Sequence, residues 1–113
     1  MRVGLCFDGF YSIGEMVELA RLADKIGMHS IWMSDHLCFR DAPTSSMAFL
    51  AATEKIIVAP APLSPYSRNP IITAMALATM DEFAPGRVWA TAGTGNAAAL
   101  EEAGMKVTRP LKT

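Results

Sequence analysis

The chain has 113 residues, 51% of them hydrophobic and 19% charged, with a formal net charge of −1. This composition suits one small globular domain or part of a larger one and argues against disorder. The near-neutral charge gives no electrostatic basis for binding nucleic acid or an anionic membrane.

No apolar stretch reaches the ~18 residues of a membrane span. Asp8 interrupts the N-terminal apolar run too early for a signal peptide. With no export signal, the two cysteines, Cys6 and Cys38, are expected to be reduced thiols in the cytoplasm.

In chain order, "RVGLCF" (2–7) has the length and apolar character of a strand. Ser12 and Glu15 then form an S-x-x-E capping box. Behind it Ile13, Met16, Val17 and Ala20 recur at helical spacing, as do Leu19, Leu22, Ala23 and Ile26. Gly27 supplies a left-handed helix stop. "SIWM" (30–33) reads as a second strand, "PTSSMAFLAATE" (43–54) as a Ser- and Thr-rich second helix, and "KIIVAPA" (55–61) as a third strand. After the turn-rich "PLSPYSRN", Asn69 and Pro70 make an N-cap and first helical position. "IITAMALATMDEFA" forms the third helix and Pro85-Gly86 ends it. "RVWATA" (87–92) is expected as a fourth strand, and "NAAALEEAG" as a short fourth helix ending at Gly104.

Strand starts near 2, 30, 55 and 87 give spacings of about 28, 25 and 32 residues, the size of a βα unit. Alternation with nearly all-apolar strands implies a parallel sheet covered by helices. Two folds share that pattern. A doubly wound sheet usually carries G-x-G-x-x-G after its first strand, and "DGFYSIG" does not fit it. A (β/α)8 barrel has about 31 residues per unit, which matches, although four units make only half of one.

In either fold, ligands gather at the C-terminal ends of the strands. Four groups fall there: Asp8; Asp35-His36; Ala61-Pro62-Leu63-Ser64; and Gly93-Thr94-Gly95-Asn96. Each has a plain structural alternative. Asp35-His36 suits a turn or helix cap as well as a proton-transfer pair. Gly93-Thr94-Gly95 suits a tight turn as well as close backbone approach to a flat ring or phosphate. Pro62 and Pro65 suit a stiffened loop. No metal site is expected, because His29 and His36 lack ligand spacing and no C-x-x-C occurs. Cys38 lies two residues from His36 with nothing to activate it, and no nucleotide-cleaving P-loop motif is present.

"LARLADKIGMHSIWMSDH", "PYSRNPIITAMALATMDEFAPGRV" and "AGTGN" together resemble the luciferase-like superfamily of flavin and deazaflavin oxidoreductases. The likeness runs in order over nearly the whole chain. It is strongest to the branch of methylenetetrahydromethanopterin reductase, which uses coenzyme F420; Asp-His commonly ends the second strand there, where flavin monooxygenases more often show Glu-His.

The resemblance implies the N-terminal half of a TIM (β/α)8 barrel, four parallel βα units over residues 1–113, with the cofactor ring at the C-terminal rim. It implies that Asp35 and His36 lie beside the ring. His36 would be a proton donor or substrate-orienting group, and Asp35 its partner or a contact to the deazaflavin. A cis peptide in a bulge behind the ring corresponds to Ala61-Pro62. Ser64 falls near the cofactor tail, Gly93, Thr94 and Gly95 pass near the ring, and Asn96 stands where several deazaflavin enzymes have a carboxylate.

The expected activity is hydride transfer between coenzyme F420 and a small organic substrate, in a protein that is a homo-oligomer at full length. FMN-dependent monooxygenation is one alternative; a non-catalytic subunit or an inactive truncated remnant is another. "VTRPLKT" stops where another helix should begin, so half a barrel with open edge strands is expected to be inactive and prone to associate.

Overall fold

A computed structural model describes residues 1–108. The elements run β1 (Gly4–Phe7), α1 (Ile13–Lys25), β2 (Ser30–Met33), α2 (Ala42–Ala52), β3 (Ile57–Pro60), α3 (Pro70–Phe83) and α4 (Ala97–Glu102). The strands form a parallel sheet in the order β1-β2-β3, with Phe7 beside Met33 and Met33 beside Pro60 at its C-terminal edge. Among the described residues, no helix is long and apolar enough to cross a membrane.

Local chemistry fixes the helix starts. Ser12 caps α1, and Glu15 returns a bond to the Ser12 backbone, completing the expected capping box. Asn69 caps α3 through the Ile71 N–H, with Pro70 in the first turn. In α2, Asp41 accepts from the Thr44 N–H, so that helix begins one residue before the expected Pro43. It ends at Ala52 instead of reaching Glu54, because the Thr53 hydroxyl bonds back to the Phe49 carbonyl at 2.7 Å and its own backbone turns extended.

The sheet alternates sides as strands must. Phe7, Ile31, Met33 and Val58 face the helices and share one core with Met16, Ala20 and Ala23 of α1 and with Phe49 and Leu50 of α2. Phe49 meets Phe7 ring to ring at 5.3 Å. On the opposite face, Trp32 donates to the Ser30 hydroxyl at 2.9 Å and lies edge-on to Trp89.

The expected fourth strand does not form as a regular element. Residues 87–92 touch β3 and its extension through two isolated parallel bridges, Val58 with Val88 and Leu63 with Ala92. Val58 exchanges bonds with Arg87 and Trp89, and Leu63 does so with Thr91 and Gly93. The residue next in line on β3 is Pro60, which has no N–H to donate. From one bonded position to the next, one side advances from 58 to 63 and the other from 87 to 91. That extra residue is a bulge, and the Ala61-Pro62 peptide inside it is cis. The four regular βα units expected from spacing are thus three strands plus a bridged segment. The further helix expected where "VTRPLKT" breaks off lies outside the described residues.

Candidate functional site

All three strands end on one side, where the loops after β2 and β3, the segment 93–96 and α4 line an open cavity of about 540 Å³. Asp35, His36, Pro62, Ser64, Gly93, Thr94, Gly95 and Asn96 all line it. The sheet brings them together: Ser34 continues from β2 with its N–H on Phe7, and Ala61 continues from β3 with its N–H on Met33. Ala61 itself is buried and stands behind Pro62, outside the lining. Asp8 also stays out of the lining and accepts the Phe10 N–H at 3.2 Å, shaping its own turn.

The wall opposite His36 is largely backbone and apolar. Gly93 passes so close to Pro62 that a Cβ there would sit 3.0 Å from the proline Cβ; glycine lets the two loops meet as a continuous surface. Gly95 holds φ of +78°, a left-handed turn that L side chains resist. Buried Ser64 ties the third loop to the fourth segment by donating to the Thr94 carbonyl at 2.9 Å. Asn96 caps α4 by accepting the Ala99 N–H.

Asp35 and His36 do not partner each other. The Asp35 carboxylate receives a bidentate fork from Arg68, with Nε to Oδ2 at 2.7 Å and Nη2 to Oδ1 at 2.8 Å. It also accepts the Ala42 N–H at the start of α2. Its side chain is only 8% exposed. Successive side chains of extended backbone leave on opposite sides, so sequence adjacency does not bring the carboxylate to the imidazole. His36 is exposed, and neither ring nitrogen has a hydrogen-bond partner among the described residues. Its ring lies against Phe10 at 5.6 Å with a 27° interplanar angle, and Phe39 stands edge-on at 6.4 Å.

Arg68, Asp41, Phe10 and Phe39 are site residues that sequence reasoning missed. A carboxylate at a strand end calls for a cation, and "SRNP" supplies one on the same rim; that was the available signal for Arg68. Arg68 also bonds Asp41, the cap of α2. Hydrogen bonding to Asp35, aided by Asp41, outweighs the opposing cost of burial and holds the Arg68 pKa above its ordinary value. At Asp41, burial pushes the carboxyl pKa up, but bonds from Thr44 and Arg68 win and keep it below the usual range. The cluster thus places one guanidinium between two carboxylates, Asp35 and Asp41. No group of three or more His, Cys, Asp or Glu is placed to hold a metal among the described residues.

Comparison with known proteins returns one family. The model of the luciferase-like monooxygenases matches residues 4–113. The chain is 27% identical over 113 residues to 5,10-methylenetetrahydromethanopterin reductase of Methanolobus tindarius, covering 100% of this chain and 35% of that protein. It is 41% identical over 93 residues to F420-dependent glucose-6-phosphate dehydrogenase of Mycolicibacterium fortuitum, covering 74% of this chain and 27% of that protein. In three dimensions it superposes on the coenzyme F420-dependent tetrahydromethanopterin reductase of Methanopyrus kandleri with a TM-score of 0.84 at 26% identity, over 91% of this chain and 30% of that one. The chain therefore spans about a third of the length of the proteins it matches.

Proposed function

The chain belongs to the luciferase-like monooxygenase family, and on that premise we propose that it forms one wall of the active site of an F420-dependent oxidoreductase. In this reading residues 1–113 are the first half of a (β/α)8 barrel domain. The whole protein moves a hydride between coenzyme F420 and a small organic substrate. It works in the cytoplasm, with Cys6 and Cys38 as free thiols, and as a homo-oligomer.

The observation that carries the reading is the convergence of His36, Pro62, Ser64 and Gly93-Thr94-Gly95-Asn96 on one cavity at the strand ends. Its volume falls in the range of small-molecule sites. Pro62, Ala99 and Leu100 with the glycine backbone offer a mostly apolar surface, which suits a ring system. Ala61 and Pro62 would back the ring, Gly93, Thr94 and Gly95 would flank it, and Ser64 and Asn96 would lie towards its substituents. The deazaflavin, when bound, supplies the hydride-transfer centre. The chain's own residues orient and shield. His36 presents two unengaged ring nitrogens to the cavity, so it can hold a substrate hydroxyl or carbonyl and give or take its proton. Asp35 acts at one remove: its pairing with Arg68 fixes the loop from which His36 projects. The matched relatives that carry F420 in their names favour the deazaflavin over FMN.

Fluorescence titration with F420 and with FMN, together with oxygen uptake on reduced FMN, tests this. The expected result is saturable F420 binding without oxygen uptake. Saturable FMN binding with oxygen uptake would replace it with the monooxygenase reading. Binding of neither would sink both and leave a non-catalytic subunit or a remnant.

A further inference from the structure

A catalytic imidazole needs something to hold its ring, and the neighbouring carboxylate is fully engaged by Arg68 and the Ala42 N–H. We infer that Phe10, from the loop between β1 and α1, is the positioning residue for His36. The inference rests on the proposed placement of His36 at the reacting end of the cavity.

The geometry is that of an offset ring pair. Centroids 5.6 Å apart and planes 27° from parallel put Phe10 against the face of the imidazole, within the range where aromatic pairs attract. Phe39 braces both: it packs on Phe10 at 4.6 Å and 60°, and on His36 at 6.4 Å and 80°. The three rings thus form one cluster drawn from two loops. Phe10 and Phe39 are 55% and 52% exposed. One exposed phenylalanine requires no explanation. Two that meet on a histidine at the mouth of a cavity do.

The backbone of the first loop is built to present Phe10. Asp8 Oδ1 takes the Phe10 N–H. Arg40 Nη1 reaches the Gly9 and Phe10 carbonyls at 3.4 and 3.5 Å, bridging the first loop to the second. Gly9 is buried where these loops meet, beside Met33 and Phe39.

Stacking has a chemical consequence that a carboxylate partner lacks. A carboxylate would occupy one ring nitrogen and bias the imidazole towards its charged form. A phenyl ring engages only the face, so both nitrogens at the edge remain available to substrate.

The test reads the histidine ring directly. The chain has two histidines, and His29 serves as the internal control because it lies by Trp89 and bonds Ser30 far from Phe10. Proton–carbon correlation spectra are recorded without cofactor on the unmodified protein and on Phe10→Leu, Phe10→Tyr and Asp35→Asn. Loss of the ring current in Phe10→Leu should move the His36 ring signals downfield, with His29 unmoved; Phe10→Tyr should keep them in place, and Asp35→Asn should move them less than Phe10→Leu does. In the cofactor-loaded enzyme, Phe10→Leu should lower kcat about tenfold with little change in KM, and Phe10→Tyr should restore it.

His36 signals indifferent to Phe10→Leu, or displaced more by Asp35→Asn, would overturn the inference. Phe39→Leu, which removes only the brace, should give a smaller displacement of the same sign; a larger one would assign the positioning to Phe39 instead. A protein that shows the Phe10 effect but binds neither F420 nor FMN would remove the functional reading and leave the ring pairing intact. A protein that binds F420 with unmoved His36 signals would remove the pairing alone.

Discussion

At the ends where the strands begin, Asp24 of α1 accepts the N–H groups of Glu54, Lys55 and Ile56 at 2.8–3.1 Å. Beside it, Arg87 donates to the Ile56 and Thr53 carbonyls and to the Thr53 hydroxyl. At the ends where the strands finish, the charges of Asp35, Arg68 and Asp41 meet one another across two loops. His36 and the Gly93-Thr94-Gly95 backbone are left facing a cavity. One end bonds its charged side chains to main chain and holds elements in place. The other sets one guanidinium between two carboxylates to hold loops in place, with His36 and glycine backbone on the cavity wall. Asp24, Asp35 and Asp41 therefore hold backbone or loops in place at the two ends, and under the proposed function the chemistry would fall to an imidazole and to backbone.

Replacing His36 sharpens that contrast most. His36→Ala should lower kcat of the complete, cofactor-loaded enzyme by about 10²–10⁴. It should cost less than about 1.5 kcal/mol of stability, because only ring contacts are lost. Steady-state kinetics beside chemical denaturation check both parts; a large stability loss with intact kcat would make His36 framework too.

Next in size is Arg68→Met. It leaves Asp35, nearly buried, and Asp41 without their cation, and should cost about 2–4 kcal/mol, below the fully buried limit because Arg68 is partly solvated. Arg68→Lys keeps the charge but loses the fork and should fall between. Denaturation midpoints that match the unmodified protein would show that the loops are held by something else.

Asp24→Ala breaks the other end. Three backbone donors lose their acceptor, two of them near solvent, so about 1–3 kcal/mol is expected, with F420 affinity unchanged. The pH dependence has a fixed sign. Burial pushes the Asp24 pKa up, but bonds from Glu54, Ile56 and Lys55, with Arg87 nearby, win and hold it below 3.8. A depressed folded pKa gives stability that is present above the unfolded value and lost as pH falls through the folded one. Acid titration of Asp24→Asn should therefore show a shallower loss of stability below about pH 4 than the unmodified protein. An unchanged acid limb would mean Asp24 contributes no such linkage.

Much of this was legible in the chain because it is written locally. Ser12 with Glu15, Asn69 with Pro70 and the apolar runs act within a few residues, and those elements stand close to where the pattern puts them. The grouping of the strand-end residues was legible as well, since parallel strands joined by helices put the loops that follow them on one side. What failed depended on distant partners. Pro60 is visible in the sequence, but its missing N–H matters only because residues 87–92 lie beside it. Asp35 and His36 looked like a pair because they are adjacent, while the carboxylate's partner lies 33 residues away. Phe10 and Phe39 carry no motif at all; only the approach of two loops gives them a histidine to hold.

The smallest effect is expected at Asn96, and it separates cap from acid. The Asn96 side chain accepts the Ala99 N–H at 3.3 Å and starts α4. Asp caps as well as Asn does, whereas Ala cannot. Asn96→Ala should therefore cost about 1 kcal/mol, read as faster hydrogen exchange at the Ala99 amide. Asn96→Asp should leave that exchange within a few tenths of a kcal/mol of the original, while adding a carboxylate to the cavity wall. If Asn96→Ala leaves Ala99 protected, the residue is not held by its capping bond, and its place in the cavity lining would need a ligand to explain it. If both substitutions behave as expected, this position joins Asp24 and Asp35 as framework, and His36 stands alone as the titratable group with unengaged hydrogen-bonding atoms on the cavity wall formed by residues 1–108.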